Sequence, residues 1–226
     1  MSHETHPHSD AVPLFPLEAV LFPGSLLPLH IFEPRYRQMT ADAIQGNGLI
    51  AIAPLRPGYE PQYLTYSAPI YPVVGVGRLV ATSELPNGTY NIVLRGLRRA
   101  RVVSESTDRP YRMGTLEPLN DEGAMCEHSA CVARCELLNA LEDAAIPFEF
   151  RRPWLELARN CACFSSVVDQ ICGTLPLEID MSLRQNLQEE ANSVARSRLL
   201  TEYLKTYSQV ARRRIRCATE TTGRVN

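Results

Sequence analysis

Three residues of one short segment, His30, Glu33 and Arg35, are of types that do chemistry. The His-x-x-Glu spacing offers two donors to a metal ion, and an imidazole beside a carboxylate can move protons. A metal centre needs a third protein donor, and the segment supplies none. The preferred reading is structural: Glu33 sits at a helix N-terminus, where its charge suits the dipole, and Arg35 or His30 satisfies buried backbone. Cys126, Cys131, Cys135, Cys161, Cys163 and Cys172 form no Cys-x-x-Cys pair, so zinc-ribbon and thioredoxin-like chemistry fail on spacing, and the cysteines read as small apolar filler on helices. Gly75-Val76-Gly77 begins a dinucleotide-binding pattern, but Val80 stands at the third glycine and no helix follows. Ser25 lacks the flanking glycines of a nucleophile elbow. The only lysine, Lys205, follows Leu204, so no Gly-Lys-Ser/Thr phosphate loop exists in these 226 residues. His3, His6 and His8 could hold Cu(II) or Ni(II) adventitiously, but read better as a solvated tail. No catalytic, cofactor or metal residue is assigned.

Two further groups point to binding. Arg95, Arg98, Arg99 and Arg101 place four cations in seven residues of an expected hairpin, and the end of the chain adds Arg212, Arg213, Arg214 and Arg216. Such a patch could contact phosphate. Against it, strand alternation splits the hairpin arginines between two faces, no aromatic is interleaved for base stacking, and the body of the chain is acidic. Residues 54–69 form a long proline-rich connection presenting Tyr59, Tyr63 and Tyr66. Tyrosines there either offer contact area to a flexible polypeptide or pin the loop to its neighbours, and both readings stand.

The elements that must position these residues fall into two halves. Residues 12–120 hold most of the prolines and glycines, with strands expected at 49–53, 70–81, 89–95, 97–105 and 111–119 and shorter extended pieces at 12–14 and 20–29. Pro86-Asn87-Gly88 suits a tight hairpin. Gly75, Gly77 and Gly96 inside strand patterns indicate bulges or close backbone approach, as closure of a small barrel requires. One helix is embedded here, opened by Pro34, with Tyr36, Met39 and Ala43 on one face and an end at Gly46-Asn47-Gly48. After residue 120 the period becomes helical. Helices are expected over 122–145, over 153–173 with a stripe of Trp154, Leu157, Cys161, Phe164, Val168 and Ile171, over a short stretch opened by a Ser182/Gln185 capping box, and over about 192–214 with Ala195, Leu199, Tyr203 and Tyr207 in register. The fold class is α+β, divided into a tail at 1–11, a β-rich part at 12–120, a helical bundle at 121–214 and a tail at 215–226.

With 45% hydrophobic and 21% charged residues and a net charge of −2, the composition is that of an ordinary globular chain and excludes disordered and low-complexity classes. The charge gives no global reason to expect nucleic acid or an anionic membrane. The start MSHETHPHSD is not a secretory signal, and the longest uncharged run near it is too short and too broken by Pro23, Gly24 and Pro28 to span a bilayer. Seven cysteines, an odd number, read as reduced thiols in a cytoplasmic protein.

The stretch VPLFPLEAVLFPGSLLPLHIFEPRYR, residues 12–37, resembles the N-terminal substrate-binding domain of Lon peptidases. That family opens with a proline-punctuated strand pair followed by a PLHIFEPRY segment leading into a helix, and the same pieces stand here in order. The likeness continues through NIVLRGLRRARV, residues 91–102, and into RQNLQEEANSVARSRLL, residues 184–200, where Gln188 takes the place of a frequent leucine. The resemblance implies a PUA-like β pseudo-barrel followed by a helical bundle, and a standalone, non-catalytic module without the ATPase and peptidase domains. It implies binding of exposed apolar polypeptide segments, or of a partner protein, through the β half, in the service of a peptidase or chaperone system. An RNA-binding module using the arginine hairpin and the basic tail is the alternative.

Overall fold

The computed structural model describes residues 11–121, 127–175 and 180–222. It comprises two compact units. One runs to Asn120 and takes in Gly173–Glu189; the other is formed by Asp121–Cys172 and Glu190–Asn226.

The first unit holds β1 (Val12–Leu17), β2 (Leu26–Ile31), α1 (Pro34–Gln45), β3 (Leu49–Pro54), β4 (Val73–Glu84), β5 (Tyr90–Ser106) and β6 (Arg112–Pro118). Strand order is β2-β5-β4-β3-β1-β6, and a second pairing of β5 with β6 closes five of the strands into a ring. Only β1 and β3 pair in parallel. β2 stands outside the ring, attached to the first part of β5, while the last part of β5 carries β6. The strands expected at 89–95 and 97–105 are therefore one strand. A bulge lies between them, because Gly77 pairs with Gly96 but the preceding Val76 pairs with Arg98.

Two glycines set how tightly this unit closes. A Cβ on Gly75 would lie 2.0 Å from the carbonyl oxygen of Leu21, and one on Gly96 would lie 2.0 Å from that of Phe22. The segment after β1 thus passes directly over the sheet, where only glycine leaves room. Gly24 donates its amide to the Gly96 carbonyl and Gly96 donates to that of Ser25, both at 2.9 Å. The extended piece expected at 20–29 is accordingly divided: residues 20–25 make the crossing and turn, and 26–29 are extended as the first part of β2. Under this crossing, Leu21, Ile31, Ile50, Ile52, Ile92 and Leu94 pack with Tyr36, Met39 and Ala43 of α1. A second cluster of mainly small residues, among them Val12, Leu14, Ala51, Ala53, Val74, Val76 and Ala100, lies on the other face of the strands.

A short helix, α5 (Met181–Glu189), also belongs here, packed on β4, although its place in the sequence groups it with the helical bundle. The reason is polar. Gln185 donates to the Val73 carbonyl and Gln188 to the Leu21 carbonyl, each at 3.2 Å, and Arg99 donates back to the Gln188 carbonyl at 3.0 Å. The expected Ser182 cap is displaced by two residues: the Asp180 carboxylate accepts the Ser182 amide at 3.0 Å, which places Asp180 at the N-cap.

The second unit contains α2 (Glu127–Glu142), α3 (Phe148–Asn160), α4 (Phe164–Gly173) and α6 (Ser193–Thr222), Gly173 itself lying in the first unit. The single helix expected over 153–173 is broken. Arg134 of α2 donates to the carbonyls of Ala158 and Cys161 at 2.8 and 2.6 Å, which satisfies the end of α3, and Cys161 turns to extended backbone. Pro153 lies inside α3 rather than at its start. Asn192 caps α6 by accepting the amides of Val194 and Ala195, each at 3.0 Å. The helix continues to Thr222, so the expected tail from 215 is helical for most of its length; residues 223–226 lie outside the described residues, as do residues 1–10 with His3, His6 and His8, residues 176–179 and Cys126. The buried face of α6 carries Arg196, Ser197, Leu200, Thr201, Leu204 and Ser208, one position on from the expected stripe. Apolar periodicity misses it because four of these six residues are polar. Arg196, fully buried, pairs with Asp121 at 2.9 Å and Asp169 at 3.0 Å. Cys172 is buried, whereas Cys131, Cys135 and Cys163 are exposed and Cys161 partly so, correcting the reading of these four as core filler. Among the described residues no helix is long and apolar enough to cross a membrane.

Gly96→Ala forces a methyl group into the Phe22 carbonyl and is expected to cost about 3 kcal/mol, at the upper end for overpacking. Gly58→Ala, at a glycine with φ +84° and nothing within 4 Å, is expected to cost only about 1 kcal/mol. Urea denaturation midpoints check both; equal losses would contradict the close crossing.

Candidate functional site

The residues of the opening motif are divided between two tasks. His30 points its Nδ1 at the Asn91 side-chain oxygen, 2.8 Å away across β2 and β5. Glu33, the N-cap residue of α1, makes no side-chain capping bond to the helix backbone. Its carboxylate instead accepts the Tyr63 hydroxyl at 3.0 Å and Arg35 Nε at 3.1 Å. Arg35 also donates to the Tyr63 carbonyl at 3.1 Å, and its guanidinium lies 4.4 Å from the centre of the Tyr36 ring. Glu33 and Arg35 therefore clamp the long loop, and His30 is engaged elsewhere. Among the described residues no group of three His, Cys, Asp or Glu side chains could hold a metal ion.

Two of the three loop tyrosines, Tyr63 and Tyr66, are engaged through their hydroxyls. Tyr63 is held as described. Tyr59 packs edge-on against it, with ring centroids 5.8 Å apart, and burial followed by the nearby Glu18 carboxylate raises its phenol above the ordinary range. Tyr66 is 44% exposed and donates to the Arg109 carbonyl at 3.3 Å. Arg112 ties the far end of the loop by donating to the Ala68 carbonyl at 2.6 Å. Nearby, Asp42 accepts Tyr111 at 2.6 Å and Arg109 at 2.8 Å; those bonds, the tyrosine's first, hold its carboxyl below the usual range. The loop is pinned along its length, and its most open apolar side chain is Leu64.

The arginines of the hairpin do not act together. Arg99 is 3% exposed and committed to Gln188, whereas Arg95, Arg98 and Arg101 are exposed. The register sets neighbours on opposite faces: Arg98 pairs with Val76 and Arg99 with Gly75.

A feature the sequence reading did not single out lies on the three-stranded part of the sheet, β2-β5-β4. Alternate residues of these strands, Leu27, Leu29, Ile92, Leu94 and Leu79, face the core. Their neighbours form three rows on the outward face: Leu26, Arg95 and Arg78; then Pro28, Val93 and Ala81; then His30, Asn91 and Ser83. A bulge at Val80 bends β4, and the rows from Pro28 to Ser83 line a shallow groove that is mostly apolar. Leu26 is 62% exposed and Phe32, just past β2, is 63% exposed with its ring stacked on His30. β2 ends the sheet, so its outer edge has no strand partner among the described residues. The alternation in LLPLHI was the available signal: leucines fill both faces where a half-buried strand shows polar residues on one.

The family described as the ATP-dependent protease La (LON) substrate-binding domain matches residues 11–206. The chain belongs to that family. The Lon protease of Anaeromyxobacter dehalogenans is 25% identical over 196 residues, which cover 85% of this chain and 23% of that protein. Lon protease 2 of Sorangium cellulosum is 33% identical over 115 residues, 49% of this chain and 14% of that one. The chain thus spans a quarter or less of the length of these Lon proteases. Among solved structures, the N-terminal domain of Mycobacterium avium complex Lon protease superposes with a TM-score of 0.65 at 15% identity, covering 87% of this chain and 98% of its own. A Lon N-terminal domain protein from Xanthomonas campestris gives 0.59 at 23% identity, over 86% and 98%. The Lon N-terminal fold, α+β, is therefore the fold of this chain. The match is to the substrate-binding part of Lon, and these 226 residues hold no lysine placed for a phosphate loop.

Burial, and then the bond and charge of Glu33, push the Tyr63 phenol up to about 12. The folded state keeps this proton to higher pH than the unfolded chain, so the clamp stabilises fully below pH 10 and its contribution is lost between about 10 and 12. The difference in phenolate absorbance between wild type and Tyr63→Phe is expected to titrate near 12, and at lower pH, though still above an ordinary phenol because burial remains, when both carry Glu33→Gln. A wild-type difference already titrating near 10 would contradict the clamp.

Proposed function

We propose that this chain is a non-catalytic recognition module that binds extended, exposed apolar segments of polypeptide on the outward face of β2-β5-β4. The observation that carries the reading is the uncovered apolar face at an open strand edge, with Leu26, Pro28, Val80 and Phe32 presented to solvent. Apolar client side chains fill the groove over β5, and where the client passes the rim of the face the edge of β2 offers it main-chain hydrogen bonds, the usual way a sheet captures an unstructured chain. Large exposed apolar area on a folded domain marks an interaction surface. Membership of the substrate-binding family supports the same reading, with clients passed to a peptidase or chaperone system. Five free cysteines among the described residues support the cytoplasm as the site of action. In this reading the loop of Tyr59, Tyr63 and Tyr66 braces the unit, and each client contact is weak enough to release.

The test is anisotropy of a fluorescently labelled, permanently unfolded polypeptide. Leu26→Ser with Phe32→Ser is expected to weaken binding roughly tenfold, the loss of two apolar anchors. Leu64→Ser with Tyr66→Ser is expected to change it by less than about twofold, within what peripheral contacts contribute. The reverse pattern would move the site to the loop. Binding that survives added salt is expected; binding abolished by salt and shared by single-stranded RNA would favour the arginine patch instead.

A further inference from the structure

Resting on that reading, we propose that the face selects clients carrying a side-chain carboxylate two residues from an apolar side chain, the carboxylate seated on Arg78 and Arg95. These two arginines are direct cross-strand partners in β4 and β5. Their Cβ atoms are therefore about 5 Å apart on one face of the sheet, where like charges repel. Three arginines of this unit have carboxylates: Arg35 pairs with Glu33, Arg109 with Asp42 and Arg112 with Glu105. Among the described residues neither Arg78 nor Arg95 has an acidic group within ion-pair distance, and both are exposed. Two adjacent, uncompensated guanidinium groups make a ready seat for one carboxylate, which would relieve their repulsion and accept from both.

The position of the pair gives the spacing. Leu26 is directly opposite Arg95, and the next row of the face, two residues along β2 and β5 and three along the bulged β4, is Pro28, Val93 and Ala81. Rows are about 7 Å apart, the same repeat at which an extended chain presents side chains on one side. A client lying along β5 with a carboxylate on the arginines thus places its residue two positions away over Val93. A second depression, lined by Ile44, Gly46, Asn47 and Gly48, also takes in Arg78. Arg78 thus has room beside it for chain beyond the carboxylate, which favours an internal Asp or Glu over a chain terminus. The row beside the arginines is aliphatic, which favours polypeptide over stacked bases.

Amide-capped, labelled peptides with a single Asp-x-Leu or Asn-x-Leu in an otherwise uncharged apolar sequence provide the probe. The Asp peptide is expected to bind about fivefold more tightly, the range of a charge-assisted contact at an exposed site. Arg78→Gln with Arg95→Gln should remove that preference while leaving the Asn peptide unchanged. Moving Asp one residue nearer the leucine should also remove it. Because the substitutions delete a repulsion, the variant should unfold at no lower temperature than wild type. Equal binding of Asp and Asn peptides, both weakened by Leu26→Ser with Phe32→Ser, would overturn the carboxylate preference and leave the polypeptide reading standing. No binding of either peptide, with single-stranded oligonucleotide bound through the same arginines, would overturn both.

Discussion

The passage of the chain over Gly75 and Gly96 is the constraint on which the first unit depends. With carbonyl oxygens 2.0 Å from where side chains would begin, the crossing is closer than any other residue allows. It buries Leu21 in the main core, presents the Leu21 carbonyl to Gln188 of α5, and bonds residues 24 and 25 to Gly96. The chain leaves this anchor directly into β2. The placement of β2 on β5, outside the closed ring, follows from it, and so does the open edge that β2 presents. An error in the crossing would propagate to the outward face, although no residue of that face takes part in it.

That face is shallow and half apolar, with no enclosed cavity and no nucleophile and base held together. Such a surface suits recognition of many related segments at modest affinity, because it demands apolar side chains at intervals rather than one shape. The clamp of Glu33 and Arg35 on Tyr63 lies close by in sequence and does different work. It ties the loop to the start of α1, so Glu33 and Arg35 of the opening motif have structural bonds.

Much of this was legible in the sequence where a rule is local and steric. Pro34 opening α1, the Tyr36, Met39 and Ala43 stripe, Gly88 at the hairpin and the close approach at Gly75 and Gly96 all follow from backbone geometry and periodicity. What escaped depends on polar partners distant in the chain. Gln185 and Gln188 draw α5 onto the β unit, Arg134 ends α3 where an apolar stripe ran on, and Arg196 turns α6 by one position toward Asp121 and Asp169. Hydrophobic patterning assigns such residues to solvent. The outward face escaped for a related reason: its rows exist only once three strands are in register, and Arg78 and Arg95, seventeen residues apart, become neighbours only then.

Amide hydrogen exchange of the whole chain, with and without a saturating unfolded polypeptide, locates the binding surface. Slowed exchange is expected in the backbone of Leu26–Ile31 and at Phe32, beside the groove and at the edge of β2, with the loop of residues 55–68 unchanged. Protection confined to that loop, or to the helices of the second unit, would contradict binding on the outward face.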